Sequence, residues 1–305
     1  MTDNKFLIQQ LKRPIGIVDA VLDTDTYNEI DDQYALAYFL LSKEVINPQA
    51  IYAAPFFNQR SESPADGMEK SYQEIKRVLK HCKKEKYNDV VFKGSHNYLL
   101  DEETPVISDA AYDLVQRAKA YQPDKPLYVL AIGAITNIAS ALLLDLSICE
   151  RIVVVWLGGH IHSLPYLSKE FNMSQDVAAA RVVFNSGVPL VQLPCMGVVS
   201  HLSTTEPELR HNIKGKSDLG DYLYDITCKV ALEDGGNAAW SRVIWDISAI
   251  AWLKGEDYVK DTIITAPIPN YDYGYSFDVN RHFMKVAYHV NRDVIFHDLF
   301  STLTR

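Results

Sequence analysis

The stretch VLDTDTYNEIDDQYALAYFLLS, residues 21–42, joins an apolar run to a helical pattern through a cluster of acidic residues. Asp23 and Asp25 are two positions apart, so on an extended strand end they point to the same side. Asp31 and Asp32 open the next helix, where carboxylates interact well with free N–H groups and with the helix dipole. With Glu29 between the two pairs, the segment gathers like charge at one strand-to-helix corner.

Two explanations account for this corner. Helix capping explains one or two of the acids. It does not explain four aspartates, because like charges a few ångströms apart repel and raise one another's pKa. A hard divalent cation removes the conflict, and a set of ligands made only of oxygen atoms suits calcium or magnesium. The corner therefore predicts a metal site, with capping as the alternative.

The rest of the chain alternates short apolar runs with segments of helical length. The predicted strands cover residues 17–24, 50–55, 89–92, 127–132, 151–158 and 188–193. The predicted helices cover residues 30–42, 67–82, 108–121, 136–144, 176–187 and 219–234, and residues 283–303 predict a strand followed by a closing helix. This pattern predicts an α/β fold, a mostly parallel central sheet covered by helices on both faces. Ligands of such sheets bind beyond the carboxyl ends of the strands, where the acidic corner lies.

Composition narrows the class of protein. The chain has 305 residues, 48% of them hydrophobic, and shows no Pro/Gly/Ser-rich linker, so we expect a single domain over residues 1–305. The net charge of −9 argues against nonspecific nucleic-acid binding. No segment is apolar enough to predict a membrane span, and the start lacks a secretory apolar region. Four cysteines without a CxxC pair suggest reduced thiols, hence a cytoplasmic protein.

Two known families use similar acidic motifs. DTDT resembles the nucleophile motif of haloacid-dehalogenase-type phosphatases, but Tyr27 at the fifth position and the longer acidic pattern differ from that motif. The whole segment resembles the metal-site motif of the inosine–uridine-preferring nucleoside hydrolase family, DxDxGxDD. In this chain the spacing between Asp25 and Asp31 is two residues longer than in that motif.

Further segments resemble the same family, in the family's order. AIYAAPFFNQ (residues 50–59) is similar to the second strand and its loop, and VLAIGAITNIASAL (129–142) to a GPLTNIA-type segment. VVVWLGGHIHSLPYLSKEFNMSQDVAAARVVFNSG (153–187) is similar to the strand ending in LMGG with its EFN sequence. VIWDISAIAWL (243–253) resembles the late segment that carries an HD pair.

The resemblance implies a calcium-dependent hydrolase that cleaves the N-glycosidic bond of ribonucleosides and releases base and ribose. The implied Ca²⁺ ligands are Asp25, Asp32, Asp246 and the carbonyl of Ile132. Asp31 is the implied general base for the attacking water. The implied substrate-binding residues are Asp23, Asn58, Leu157, Glu170, Asn172 and Trp245. The family also implies a homodimer or homotetramer whose partner is a small-molecule nucleoside.

Trp245 stands where many members of the family carry the histidine that protonates the leaving base. The Trp-Asp pair resembles the purine-specific branch, in which the indole stacks on the base. We therefore expect a preference for purine ribonucleosides and a place in purine salvage. The alternative is that Trp245 is a core residue, since large aromatic side chains are usually buried.

Two other functions stay open from the sequence. A magnesium-dependent phosphatase would need a motif lysine and a Ser/Thr that cannot be placed in this chain. A non-catalytic ribosyl-binding or regulatory protein would keep the same metal site without turnover.

Overall fold

The acidic segment forms a strand, a turn and a buried helix, in the order that its sequence predicts. The computed structural model describes residues 3–164, 169–233, 235 and 239–305. In these ranges the strands are β1 (Val18–Thr24), β2 (Ile46–Ala53), β3 (Val91–Lys93), β4 (Leu127–Ala131), β5 (Ile152–Leu157), β6 (Leu190–Leu193), β7 (Ser203–Thr205), β8 (Ser241–Val243), β9 (Val259–Thr265), β10 (Ile268–Pro269), β11 (Tyr275–Ser276) and β12 (Phe283–Val290). The α-helices are α1 (Asn4–Gln10), α2 (Asp31–Leu41), α3 (Pro64–His81), α4 (Asp109–Ala118), α5 (Thr136–Leu144), α6 (Phe171–Gln175), α7 (Val177–Ser186), α8 (Glu206–Asn212), α9 (Asp218–Glu233), α10 (Ile247–Lys254) and α11 (Arg292–Leu303).

One large sheet organises the fold. Among the described residues it has eight strands in the order β3-β2-β1-β4-β5-β6-β12-β9. Neighbouring strands are parallel except β12 and β9, which pair antiparallel at one edge. Strand β1 pairs with β2 on one side and β4 on the other, so its carboxyl end lies inside the sheet. The predicted fold class, α/β with a mostly parallel central sheet, is confirmed.

Both faces of the sheet are covered. Successive residues of a strand point to opposite faces, and here they enter different hydrophobic cores. Leu22 and Leu130 belong to the core formed with α2, α3, α9, α10 and α11. Val21 and Val129 belong to the core formed with α4, α5 and α7. This burial on both sides explains why the strands are continuous apolar runs rather than alternating ones.

Helix α2 lies deep in the first of these cores. Every residue from Asp31 to Leu40 is buried, and the helix packs against α3, α10 and α11. Ile30 occupies the N-cap position and makes no side-chain cap hydrogen bond, while Asp31 and Asp32 are the first helical residues. Capping in the usual sense therefore does not explain the pair, and their burial needs another reason.

All predicted strands and helices form, with ends shifted by a few residues, and the chain does close with a strand and a helix, β12 and α11. Asp234, with which one predicted helix ends, and residues 165–168, inside one of the quoted motifs, lie outside the described residues. The edge strand β9 was not predicted. No helix in the described ranges has both the length and the apolar composition needed to cross a bilayer.

Candidate active site

A cavity of about 350 Å³ opens beside the acidic corner, at the carboxyl ends of β1, β4 and β5. Its size is within the range of small-molecule binding sites. Most of the residues that the sequence singles out line it: Asp25, Asp31, Asp32, Ile132, Leu157, Glu170, Asn172, Trp245 and Asp246. The sheet thus brings together segments that are far apart in the chain.

Three elements supply the carboxylates. Asp25 follows β1, Asp31 and Asp32 begin α2, and Asp246 directly precedes α10. Carboxylate oxygens of Asp31, Asp32 and Asp246 all lie within 4.8 Å of one another, and all three residues are buried. Both carboxylate oxygens of Asp25 are buried and have no hydrogen-bond partner among the residues that the structure describes. Buried charges without partners are strongly unfavourable, so this arrangement needs a compensating positive charge.

The pKa values of these carboxyl groups show the same lack of compensating positive charge. Burial raises the pKa of Asp32 to about 7, and burial also raises the pKa of Asp25 well above its usual range, helped by the charges of Asp32 and Asp31. Burial likewise raises the pKa of Asp31 and of Asp246. A bound divalent cation would favour the ionised forms and reverse these shifts. The carboxylates of Asp25, Asp31, Asp32 and Asp246 offer oxygen donors of the kind that such an ion binds.

The backbone at the end of β4 completes the donor set. Asn172 donates from Nδ2 to the carbonyl oxygens of Ile132 (3.1 Å) and Leu157 (3.0 Å). The Ile132 carbonyl keeps a second lone pair for another partner. At Gly133 a Cβ atom would lie 2.9 Å from Oδ1 of Asp25, so a residue without a side chain lets this segment approach the carboxylate.

Glu170 is held rigidly at the cavity wall. It is the N-cap of α6, and its carboxylate accepts hydrogen bonds from the backbone N–H groups of Gly159, Asn172 and Met173 at 2.7, 2.9 and 2.8 Å. Oε2 accepts two of these bonds and Oε1 only one, so Oε1 retains capacity for a further donor. Glu170 and Asn172 are therefore oriented by the protein itself before any ligand binds.

Asp23 and Asn58 are not among the residues that line the cavity. Asp23 is fully buried, and its Oδ1 accepts a hydrogen bond of 2.7 Å from Nδ2 of Asn137. Asn58 donates from Nδ2 to Oδ1 of Asn28 at 2.6 Å. Asn28, unlike Asn58, does line the cavity.

Trp245 lies between the hydrophobic core and the cavity. Its side chain is half-buried and packs against the core, and it also lines the cavity. Its backbone N–H donates to Oδ2 of Asp31 at 3.2 Å. Stacking on a bound base and packing against the core are thus compatible for this indole.

The sequence assigned no role to several residues of the cavity wall, among them Asn28, His160, Cys195 and Met196. Nδ1 of His160 accepts a hydrogen bond from the backbone N–H of Met196 at 3.2 Å, and burial lowers the pKa of this histidine. Cys195 and Met196 follow β6, whose carboxyl end meets those of β4 and β5 at the same sheet edge. That position was the signal that could have identified them.

We expect the stability of the metal-free protein to fall as the pH rises from about 4 to about 7. Asp23 and Asp32 have a pKa of about 7 in the folded chain, against ~3.9 in an unfolded one. Between these values the folded state binds more protons than the unfolded state, so the free energy of unfolding decreases with rising pH. Calcium should oppose this loss, because binding requires ionised carboxylates.

Thermal unfolding at pH 5 and pH 7, in chelator and in calcium, measures this effect. The gain in melting temperature on adding calcium should be larger at pH 7 than at pH 5. A melting temperature in chelator that is equal at the two pH values would contradict the explanation.

Comparison with known proteins agrees with this geometry. Residues 20–296 match the family model described as "Inosine-uridine preferring nucleoside hydrolase". The pyrimidine-specific ribonucleoside hydrolase RihB of Escherichia coli (strain K12 / DH10B) is 30% identical over 142 residues, 45% of this chain and 44% of RihB. A putative RihB of Shigella boydii is equally similar, over 57% of its length. The matched part therefore spans about half the length of these curated relatives.

Solved structures of low sequence identity share the fold. A plant nucleoside hydrolase has a TM-score of 0.74 at 18% identity, with 94% of this chain and 99% of that one covered. A purine-preferring ribonucleoside hydrolase from Gardnerella vaginalis has a TM-score of 0.72 at 21% identity, with 94% and 98% covered. From the family match and the convergence of its motifs on one cavity, the chain belongs to the inosine–uridine-preferring nucleoside hydrolases, a family of N-glycosyl hydrolases.

Proposed function

We propose that this protein hydrolyses the N-glycosidic bond of ribonucleosides in a Ca²⁺-dependent reaction and releases the base and ribose. The observation that carries the proposal is the buried cluster of Asp25, Asp31, Asp32 and Asp246 at the wall of a cavity large enough for a nucleoside. The family match supports the same reaction class. Release of reducing sugar from ribonucleosides, with and without chelator, tests it.

Calcium is the ion that the donor set suits best. Asp25, Asp32, Asp246 and the carbonyl of Ile132 would hold it, and calcium accepts many oxygen ligands in flexible geometry. When bound, the ion supplies positive charge that lowers the pKa of water and can orient sugar hydroxyls. The two oxygens of Asp25 that have no protein partner are the strongest support for this ligand set.

Asp31 is the proposed general base, which takes a proton from the attacking water. The backbone N–H of Trp245 donates a hydrogen bond to one carboxylate oxygen of Asp31, which restrains the orientation of that carboxylate. The reaction passes through an oxocarbenium-like sugar, and the carboxylates around it favour that positive charge. Glu170 and Asn172, with backbone contacts that fix their orientation, would bind sugar hydroxyls, with Leu157 beside them. Asp23 would support the site from its buried position.

Two observations bear on the base of the substrate, and they favour different bases. Trp245 at the cavity wall favours a purine, because the indole can stack on it and N7 offers a basic site for protonation. The curated relatives at 30% identity carry names that specify pyrimidine ribonucleosides, which favours pyrimidines as the second candidate. We propose the purine preference, and with it a role in purine salvage.

Replacing Trp245 by alanine should impair inosine hydrolysis strongly and hydrolysis of p-nitrophenyl riboside only weakly. The second leaving group departs without protonation, so it does not need the stacking that eases protonation of a purine. Direct stacking contributes only ~0.5–1.5 kcal/mol, and a larger loss on inosine would indicate help with protonation. Trp245→Phe, which keeps an aromatic ring, is the matched control and should retain most of the activity.

Kinetic constants for inosine, uridine and the p-nitrophenyl riboside measure both points. Equal losses on inosine and the activated riboside would mean that Trp245 only packs or positions. A clear preference of the unmodified protein for uridine would refute the purine assignment.

We extend the proposal to the organisation, assembly, partner and location of the protein. We propose that the chain acts as a single domain, assembled as a homodimer or homotetramer, and that its partner is the nucleoside alone. A cytoplasmic location is supported by its four cysteines, none of which forms a disulfide.

A further inference from the structure

The turn between β1 and α2 places a second polar side chain at the cavity, in addition to the acids. Asn28 lies three residues after Asp25 and three before Asp31, and its backbone N–H donates to the Asp25 carbonyl oxygen at 2.7 Å. The residue is only 7% exposed, and it lines the cavity. It therefore lies at the carboxylate end of the cavity, where the sugar of a nucleoside would bind.

A short chain of hydrogen bonds fixes the direction of its amide. The backbone N–H of Arg60 donates to Oδ1 of Asn58 at 2.8 Å. Nδ2 of Asn58 in turn donates to Oδ1 of Asn28 at 2.6 Å. The two polar ends of the Asn58 amide are thus both used within the protein. Because Oδ1 of Asn28 accepts, its Nδ2 is left as a donor.

That Nδ2 group has no hydrogen-bond partner in the described part of the chain. An amide donor at a ligand cavity without a protein partner is a group that a ligand can satisfy. Asn58 lacks both properties, since its Nδ2 is already engaged and the residue does not line the cavity.

We infer that Asn28, not Asn58, donates the hydrogen bond to a sugar hydroxyl, and that Asn58 is a positioning residue that orients the Asn28 amide. This inference rests on the proposed function and names the recognition group for the sugar of the same substrate. Asn28 is part of the longer turn between Asp25 and Asp31, so the inference also assigns a function to that turn. A site built to bind a hydroxyl discriminates against a substrate that lacks it.

The test compares inosine with its 2′-deoxy, 3′-deoxy and 5′-deoxy analogues. Asn28→Ala should lower kcat/KM roughly tenfold to hundredfold on inosine. It should do the same for the analogues that keep the bound hydroxyl, and change little for the one analogue that lacks it. Equal losses on all four compounds would overturn the inference, since Asn28 would then act only on the fold of the turn.

Asn58→Asp tests the positioning role without altering Asn28. The new carboxylate can still accept from the Arg60 N–H, but it cannot donate to Asn28. The amide of Asn28 would then rotate, so that its Nδ2 donates to this carboxylate and not to the substrate. The selective pattern of Asn28→Ala should therefore appear again, and the double variant should lose no more than either single variant. Multiplied losses in the double variant would contradict the coupling. Gln59→Ala, at an exposed neighbour, is the control and should keep the unmodified kinetic constants.

The two proposals fail in different ways. A protein that releases no ribose from any nucleoside refutes the proposed function, and calorimetric binding of inosine in calcium then replaces kinetics for the same variants. Weaker binding by Asn28→Ala would support the inference in that case. Unchanged binding by Asn28→Ala, or no binding by the unmodified protein, would overturn it.

Discussion

Asp31→Ala is expected to lower kcat for ribonucleoside hydrolysis by at least ~100-fold, the size of effect typical of lost acid–base catalysis, while substrate binding is largely kept. Asp31 is buried at the cavity wall, and its Oδ2 accepts the Trp245 N–H, so its direction is fixed by the fold. Steady-state kinetics with inosine and uridine measure the loss.

The carboxylate of Asp31 also lies within 4.8 Å of those of Asp32 and Asp246, so metal content must be measured beside turnover. Asp31→Asn is the matched variant, because its amide oxygen can still accept the Trp245 N–H. Both variants should bind calcium and lose turnover. Retained turnover with normal metal content would assign the general-base role to another residue.

Asp246→Ala is expected to abolish turnover by a different route, the loss of calcium. Asp246 is buried and lies within 4.8 Å of Asp31 and Asp32, although it comes from the start of α10, far from both in the chain. A ligand that binds only the folded state stabilises it by about 2.7 kcal/mol when present at 100 times its Kd. The variant should therefore lose the rise in melting temperature on adding calcium.

Calorimetric titration with calcium and thermal unfolding with and without chelator measure this effect. Asp257→Asn, at an exposed position, is the control and should bind calcium normally. Unchanged calcium affinity in Asp246→Ala would remove Asp246 from the ligand set. Turnover in the complete absence of a divalent cation would contradict the metal dependence.

The fold was predictable because its signals are local. A buried parallel strand is a continuous apolar run, and β4 and β5 show this directly in the sequence. Strand β9 was missed because it lies at the sheet edge, pairs antiparallel with β12 and mixes exposed with half-buried residues. Such a strand lacks the uniform apolar character by which the others were recognised.

The acidic part of the site was also predictable, because buried like charges demand an explanation wherever they occur. Asp25, Asp31 and Asp32 lie within one short segment of the sequence, and the resemblance supplied Asp246. Their approach to one another depends on tertiary contacts between α2 and α10, which no local pattern encodes.

The polar residues around the acids were harder to assign, because asparagine and histidine occur widely in loops. The motif singled out Asn58, but the fold uses its amide to hold Asn28, which lines the cavity in its place. The sequence assigned no role to His160, and the hydrogen bond from the Met196 N–H shows how its ring is held. Sequence similarity identifies which position matches a family residue. The hydrogen-bond partner of that side chain, however, depends on the local course of the backbone.

Ca²⁺-dependent ribonucleoside hydrolysis is tested most directly by measuring free base and reducing sugar released from inosine, guanosine, adenosine, uridine and cytidine, in calcium and in excess chelator. We expect equal amounts of base and ribose, complete loss of both in chelator and recovery when calcium is restored. Calcium binding without release of ribose from any of these nucleosides would indicate a ribosyl-binding protein instead, and release of phosphate from nucleotides without ribose would indicate a phosphatase. Either result would contradict the proposed Ca²⁺-dependent hydrolysis of ribonucleosides.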